Sequence, residues 1–224
     1  MDPIQRELAL TWYLPVDEIP LLRLLQLADS AFPIGAAAHS FGLETLVSEG
    51  ALHPENVEQF LRDYLQEAGT LEAAFVRRAS RQSNQRELSD ELSARKTARE
   101  SREASLKLGR RFAELVNGLA DAPVIETDLH YCIAFGAAGA ALGLPEDAVA
   151  LAYLRQSVAG LISACQRLMA LGQVAANKIV WNLSPTIGQA ASHGTKDEEV
   201  WCFSPFPELA SMRHGSLETR LFIS

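Results

Sequence analysis

The sequence predicts an all-α fold: a single-domain helical bundle around a buried central helix, with a mobile N-terminal arm and a C-terminal tail. Three observations carry this. Alanine and leucine, the strongest helix formers, number 33 and 32, against 11 valines and 9 isoleucines that would favour strands. Apolar residues recur at helical spacing through most of the chain. With 224 residues, 48% of them hydrophobic and 21% charged, there is material for one substantial core, and a disordered chain is excluded.

Residues 1–20 contain Pro3, Pro15 and Pro20 and no long helical period, so they form an arm. Residues 21–192 form the helical domain. Leu21, Leu24, Leu25 and Ala28 share one helix face, and Pro33 and Gly35 then turn the chain. Ala36 to Glu49 reads as a second helix, stopped at Gly50. A third starts at His53-Pro54 and carries the stripe Val57, Phe60, Leu61, Tyr64, Leu65, Ala68, running to about Ala79 with Gly69 as its weak point. Segment 86–111 has no large apolar side chain between Ser93 and Ser105. Its charges fall four apart, as in Glu91/Arg95 and Arg99/Glu103, so it faces solvent or a polar partner rather than the core.

A helix capped by Thr127 or Asp128 is rich in Ala and Gly (Gly136, Gly139, Gly143), which allows close helix approach. The helix from Pro145 to about Leu171 is apolar on most sides and reads as the central one. Val174 to Ile187 is helical and broken at Pro185. Residues 193–204 read as a mobile loop. In the tail, 205–224, a short helix is followed by Leu221, Phe222 and Ile223, with no further element to pack behind them.

The net charge of −8 argues against a bulk nucleic-acid binder. Twelve of the 20 basic residues nevertheless lie between Arg62 and Arg111, which suits a solvated flank or an acidic partner. Cys132, Cys165 and Cys202 are odd in number and widely spaced, so neither a disulfide framework nor a zinc site is expected. The acidic N-terminus lacks the pattern of a signal peptide, and the uncharged stretch Leu129 to Pro145, at 17 residues, is too short and too rich in small residues to span a membrane. A soluble cytoplasmic protein is expected.

The sequence carries little that points to reaction chemistry. Gly188-Gln-Ala-Ala-Ser-His-Gly194-Thr-Lys196 resembles a phosphate-binding loop but fails its spacing. Ser40 beside His39 has no orienting acid at a diagnostic distance. The five histidines are scattered, which argues against a metal site. No catalytic residue, cofactor or metal ligand is assigned.

The string Leu21 to Glu44, LLRLLQLADSAFPIGAAAHSFGLE, resembles the signature of the UreF family of urease accessory proteins. Four further stretches follow in family order: Lys96 to Glu103, His130 to Gly143, Arg167 to Gln173, and Arg213-His214 with Arg220 to Ser224. Ala36, Ala170, Gly215 and Glu218 depart from the family pattern, the last two in the tail.

The resemblance implies an all-α protein that is not itself an enzyme. It implies a homodimer that joins the accessory protein UreD (also called UreH) and the GTPase UreG and assists nickel insertion into the urease apoprotein. Glu44 and Arg167 match polar positions linked to GTPase contact or control of metal transfer. Arg213 and His214 match the closing motif, and Arg220, Leu221 and Phe222 match the tail that docks on UreD/UreH. The alternatives are a direct, GTPase-activating-like regulator of UreG, with Arg167 or Arg220 as its finger, and an unrelated helical enzyme with a pocket near His39 and His130. A tail folded back onto its own core is the structural alternative to a docking tail.

Overall fold

The computed structural model describes residues 18–81, 84–120, 124–193, 202 and 204–223. The expected arm and the expected mobile loop fall almost wholly outside these. Among the described residues the fold is all-helical, as expected.

Helix α1 (Glu18–Leu27) turns Leu24 and Leu27 inward toward α8 and leaves Ile19, Leu22 and Leu25 in solvent. The chain then reverses through a turn in which Asp29 Oδ1 accepts from Ala31 N at 2.8 Å. The second helix expected over 36–49 is two pieces, a 3-10 turn (Ala36–Ala38) and α2 (Leu43–Ser48). The break lies at Phe41 and Gly42, whose φ values are 50° and 88°. A Cβ on Gly42 would stand 2.6 Å from the Pro207 carbonyl oxygen, so the start of α2 is pressed onto the C-terminal segment.

Helix α3 (Val57–Tyr64) passes through one π turn (Leu65–Gly69) into α4 (Thr70–Arg81). Val57, Leu61 and Leu65 are fully buried, so the apolar stripe is the core face, and Gly69 marks the irregular turn as expected. The charged segment 86–111 is also divided, into α5 (Gln85–Arg95) and α6 (Arg99–Leu119). Lys96 takes an extended backbone, which turns its ammonium toward Glu72. Glu208 then accepts from Ala98 N at 2.5 Å and Thr97 Oγ1 at 2.9 Å at the entry to α6. Contrary to expectation α6 is held against the core: Ser101, Ala104, Ser105 and Gly109 are buried and allow close approach, and Leu108, Phe112 and Val116 add buried apolar bulk.

The central helix is α7 (Tyr131–Ala141), not the one after Pro145: its residues Tyr131 through Gly139 are all buried, between α4 and α6. The reason is size. A Cβ on Gly136 would lie 2.3 Å from the Val76 carbonyl oxygen, and one on Gly109 2.0 Å from that of Leu129. Glycine at these positions is what brings the three helices together. Helix α8 (Glu146–Leu168) covers α4 and α7 with one face and exposes Leu151 and Arg155 on the other. It is long and apolar enough to cross a membrane by length and composition alone, but 56% of that stretch is buried inside the fold. Arg77, 2% exposed, braces its N-terminus: Nε donates to the Ala191 carbonyl at 2.7 Å and Nη1 to Glu146 at 3.1 Å.

Helices α9 (Gln173–Asn182) and α10 (Ser184–Ser192) meet at Leu183, so the expected break falls two residues before Pro185, which sits in the first turn of α10. Helix α11 (Pro205–Arg213), a 3-10 turn (His214–Ser216) and residues 217–223, which bend without forming a helix or strand, follow. Phe112 sits at the middle of the aromatic core, its ring centroid 5.7 Å from Phe32 and 5.4 Å from both Tyr131 and Phe135.

Candidate functional site

Glu44 lies in the first turn of α2, facing inward and 7% exposed. Its carboxylate accepts three hydrogen bonds, all from the C-terminal segment: from Leu221 N at 2.5 Å, Phe222 N at 3.1 Å and His214 Nε2 at 2.8 Å. Burial pushes the carboxyl pKa up, but the bonds from Leu221 N, His214 and Phe222 N outweigh it and hold the group below its ordinary 4.5. A buried carboxylate with three donors is satisfied as an anion, and it fixes the chain that supplies them.

Two further contacts hold the same segment. Ile223 N donates to the Ala38 carbonyl at 2.8 Å. Arg167, near the end of α8, donates to the Ala37 carbonyl, and its guanidinium carbon lies 4.3 Å from the centre of the Phe222 ring. Phe222 is thereby held at 5% exposure. The sequence offers no element behind Leu221, Phe222 and Ile223. In the structure the turn carrying Ala37 and Ala38, α2 and the end of α8 stand behind them. Leu221 and Ile223 still point outward, 55% and 63% exposed, and Arg220 is exposed beside them. Arg213 reaches Glu49 at 2.8 Å on the surface. The predicted residues Glu44, Arg167, Arg213, His214, Arg220, Leu221 and Phe222 therefore fall within one region, four of them (Glu44, His214, Leu221, Phe222) joined directly by hydrogen bonds. The carbonyls of Ala37 and Ala38 were missed, since a backbone acceptor leaves no mark in sequence.

A second buried polar cluster lies deeper. Lys96 Nζ donates to Glu72 Oε1 and Tyr153 Oη to Glu72 Oε2, both at 2.8 Å. Burial raises the Glu72 pKa, and Lys96 and Tyr153 bring it below the usual value. The signal for it was a lone acid in the apolar run TLEAAFV. Around this cluster, burial and then Lys96 lower His130 to about 3, so its imidazole is neutral. His39 is lowered by burial and then by Lys107. Burial pushes Cys165 up to about 12 and Cys202 up to about 11, and raises Cys132 further, so all three are thiols rather than thiolates. Among the described residues no group of three His, Cys, Asp or Glu could hold a metal ion.

Fold and clip together define the class: an all-helical protein whose C-terminal segment is tied by a buried carboxylate to its N-terminal motif. Apolar side chains stand outward on α1, α9 (Val174, Trp181), α11 (Phe206, Leu209, Met212) and the tail. The model of the UreF family matches residues 52–184. The chain is 35% identical over 218 residues to the urease accessory protein UreF of Nostoc sp. (strain PCC 7120 / SAG 25.82 / UTEX 2576), covering 91% of this chain and 95% of that one. It is 31% identical to the proteins of that name from Corynebacterium glutamicum (strain R) and Geobacillus kaustophilus (strain HTA426), covering 90% and 91% of this chain and 96% and 98% of theirs. This chain belongs to the UreF family.

Proposed function

We propose that this chain is a urease accessory protein: a cytoplasmic, non-enzymatic scaffold, working as a homodimer, that joins UreD/UreH and the GTPase UreG and assists nickel insertion into apo-urease. The observation that carries the reading is the division of labour in the tail. Phe222 is fixed inward by Glu44 and Arg167, while Leu221, Ile223 and Arg220 are held outward, with their backbone already ordered. A partner that takes these side chains pays less ordering entropy than one that captures a free tail. Glu44, His214 and Arg167 serve this surface by positioning it, and Arg213, Arg220 and Leu221 meet the partner. The apolar faces of α1 and α11 supply further contact for the second copy and for UreD/UreH. The test is co-purification. Removing the last ten residues abolishes recovery with UreD/UreH, and unchanged recovery contradicts the assignment of the tail.

A second reading has one observation in its favour: Arg220 is exposed, whereas Arg167 is engaged with Ala37 and Phe222. Arg220 is then the better finger for stimulating GTP hydrolysis, an effect worth ~10³–10⁵ in rate. Turnover of purified UreG with and without this protein separates the readings, and a change below about tenfold disfavours a finger.

A further inference from the structure

We infer that the chamber between α6, α8 and the 29–39 turn is a binding site for a neutral, mainly apolar small molecule. Its volume is about 350 Å³, at the lower end of the range for sites that enclose organic ligands. It is a cleft open to solvent, with Asp29, Thr97, Gly160 and Ser163 exposed at its mouth and Ile34, Leu71, Leu108 and Leu161 buried at its base.

The wall indicates the ligand. Much of it is carbon, from Phe32, Ile34, Leu71, Leu108, Leu161 and Phe222. Its polar groups largely bond one another: Lys96 and Tyr153 donate to Glu72, and Gln156 Nε2 donates to Tyr131 Oη at 2.5 Å. A buried water needs about three hydrogen bonds, and this wall has few left to give. Displacement of such water by apolar surface is favourable. The wall charges are matched in number, Arg95, Lys96 and Arg167 against Asp29, Glu72 and Glu208, so no net charge draws an ion. Gln156 Oε1 is buried with no partner and supplies one acceptor for a hydroxyl or amine. Phe222, held by Arg167, forms part of the rim.

The test is a fluorescence titration of the full chain with N-phenyl-1-naphthylamine, a neutral apolar probe with one N–H. The expected result is saturable binding of one molecule per chain. Gly160 and Ser157 line the chamber on α8, and a Cβ on Gly160 would meet nothing within 4 Å. Gly160→Phe fills the chamber and weakens binding at least tenfold, and Ser157→Phe does the same from one turn earlier. Circular dichroism checks that each variant keeps its helix content, and either one that does carries the test. Val174→Ala and Trp181→Ala, which trim outward apolar groups on α9, leave binding unchanged. An anionic naphthalenesulfonate probe binds at least tenfold more weakly. Non-saturable binding, or binding that survives filling and is lost with the α9 variants, overturns the inference.

Discussion

Replacing Glu44 by alanine should release the C-terminal segment while the rest of the fold stays intact. The carboxylate accepts three hydrogen bonds and is 7% exposed. Bonds to a charged group contribute about 1.5–3 kcal/mol each. Ordering the backbone of residues 220–223 costs about 4–8 kcal/mol. Without Glu44 the burial of Phe222, worth about 1.5–3 kcal/mol, does not offset that cost. The amides of Leu221 and Phe222 would be left buried and unpaired, so the segment leaves its seat rather than remain. Because only this segment opens, the main unfolding transition moves little. Amide hydrogen exchange reads the outcome. The Leu221, Phe222 and Ile223 amides are protected in the parent chain and exchange at close to the free-peptide rate in Glu44→Ala. Glu44→Gln, which keeps an acceptor and loses the charge, lies between. Unchanged protection at Phe222 in Glu44→Ala would refute the clip.

Acidification should act on the same contact. Glu44 has a folded pKa below its ordinary 4.5, so its contribution is complete above about that value and is lost as the pH falls through the lowered one. Protection of the Phe222 amide is therefore constant from neutral pH to about 5 and falls below it; loss between pH 7 and 6 would point to another group. Lys96→Met leaves Glu72 buried without its cation and destabilises by about 3–5 kcal/mol in urea unfolding, whereas the Glu72→Leu/Lys96→Met pair regains most of it. Equal losses in single and double variants would show that the pair does not act as a unit. Gly136→Ala and Gly109→Ala drive a Cβ against backbone carbonyls at 2.3 and 2.0 Å. Each should cost about 1–3 kcal/mol, and Gly118→Ala, with open space at its Cβ, should be neutral or stabilising.

The helices were legible because their apolar stripes are local: Val57, Leu61 and Leu65 announce a buried face without any knowledge of what covers it. The interruptions were not. Gly42 lies so close to the Pro207 carbonyl that no side chain fits there, and Lys96 leaves the helix to reach Glu72, 24 residues away. Both contacts lie outside any local window. The central position of α7 was underestimated for a related reason. Ala and Gly read as weakly hydrophobic, yet their lack of bulk is what admits α4 and α6 to contact. At the site, family resemblance indicated the residues and geometry their relation. Glu44, expected as a polar contact position, is saturated by its own chain's tail, and Arg167 is stacked on Phe222. Under the proposed scaffold reading, the tail's outward side chains are the ones offered to a partner.

The most direct test of the account is the nickel content of urease matured with and without this protein, the other accessory proteins being present. The scaffold reading predicts nickel-poor, weakly active urease when the chain is omitted and recovery when it is restored. Full nickel occupancy in its absence would contradict it.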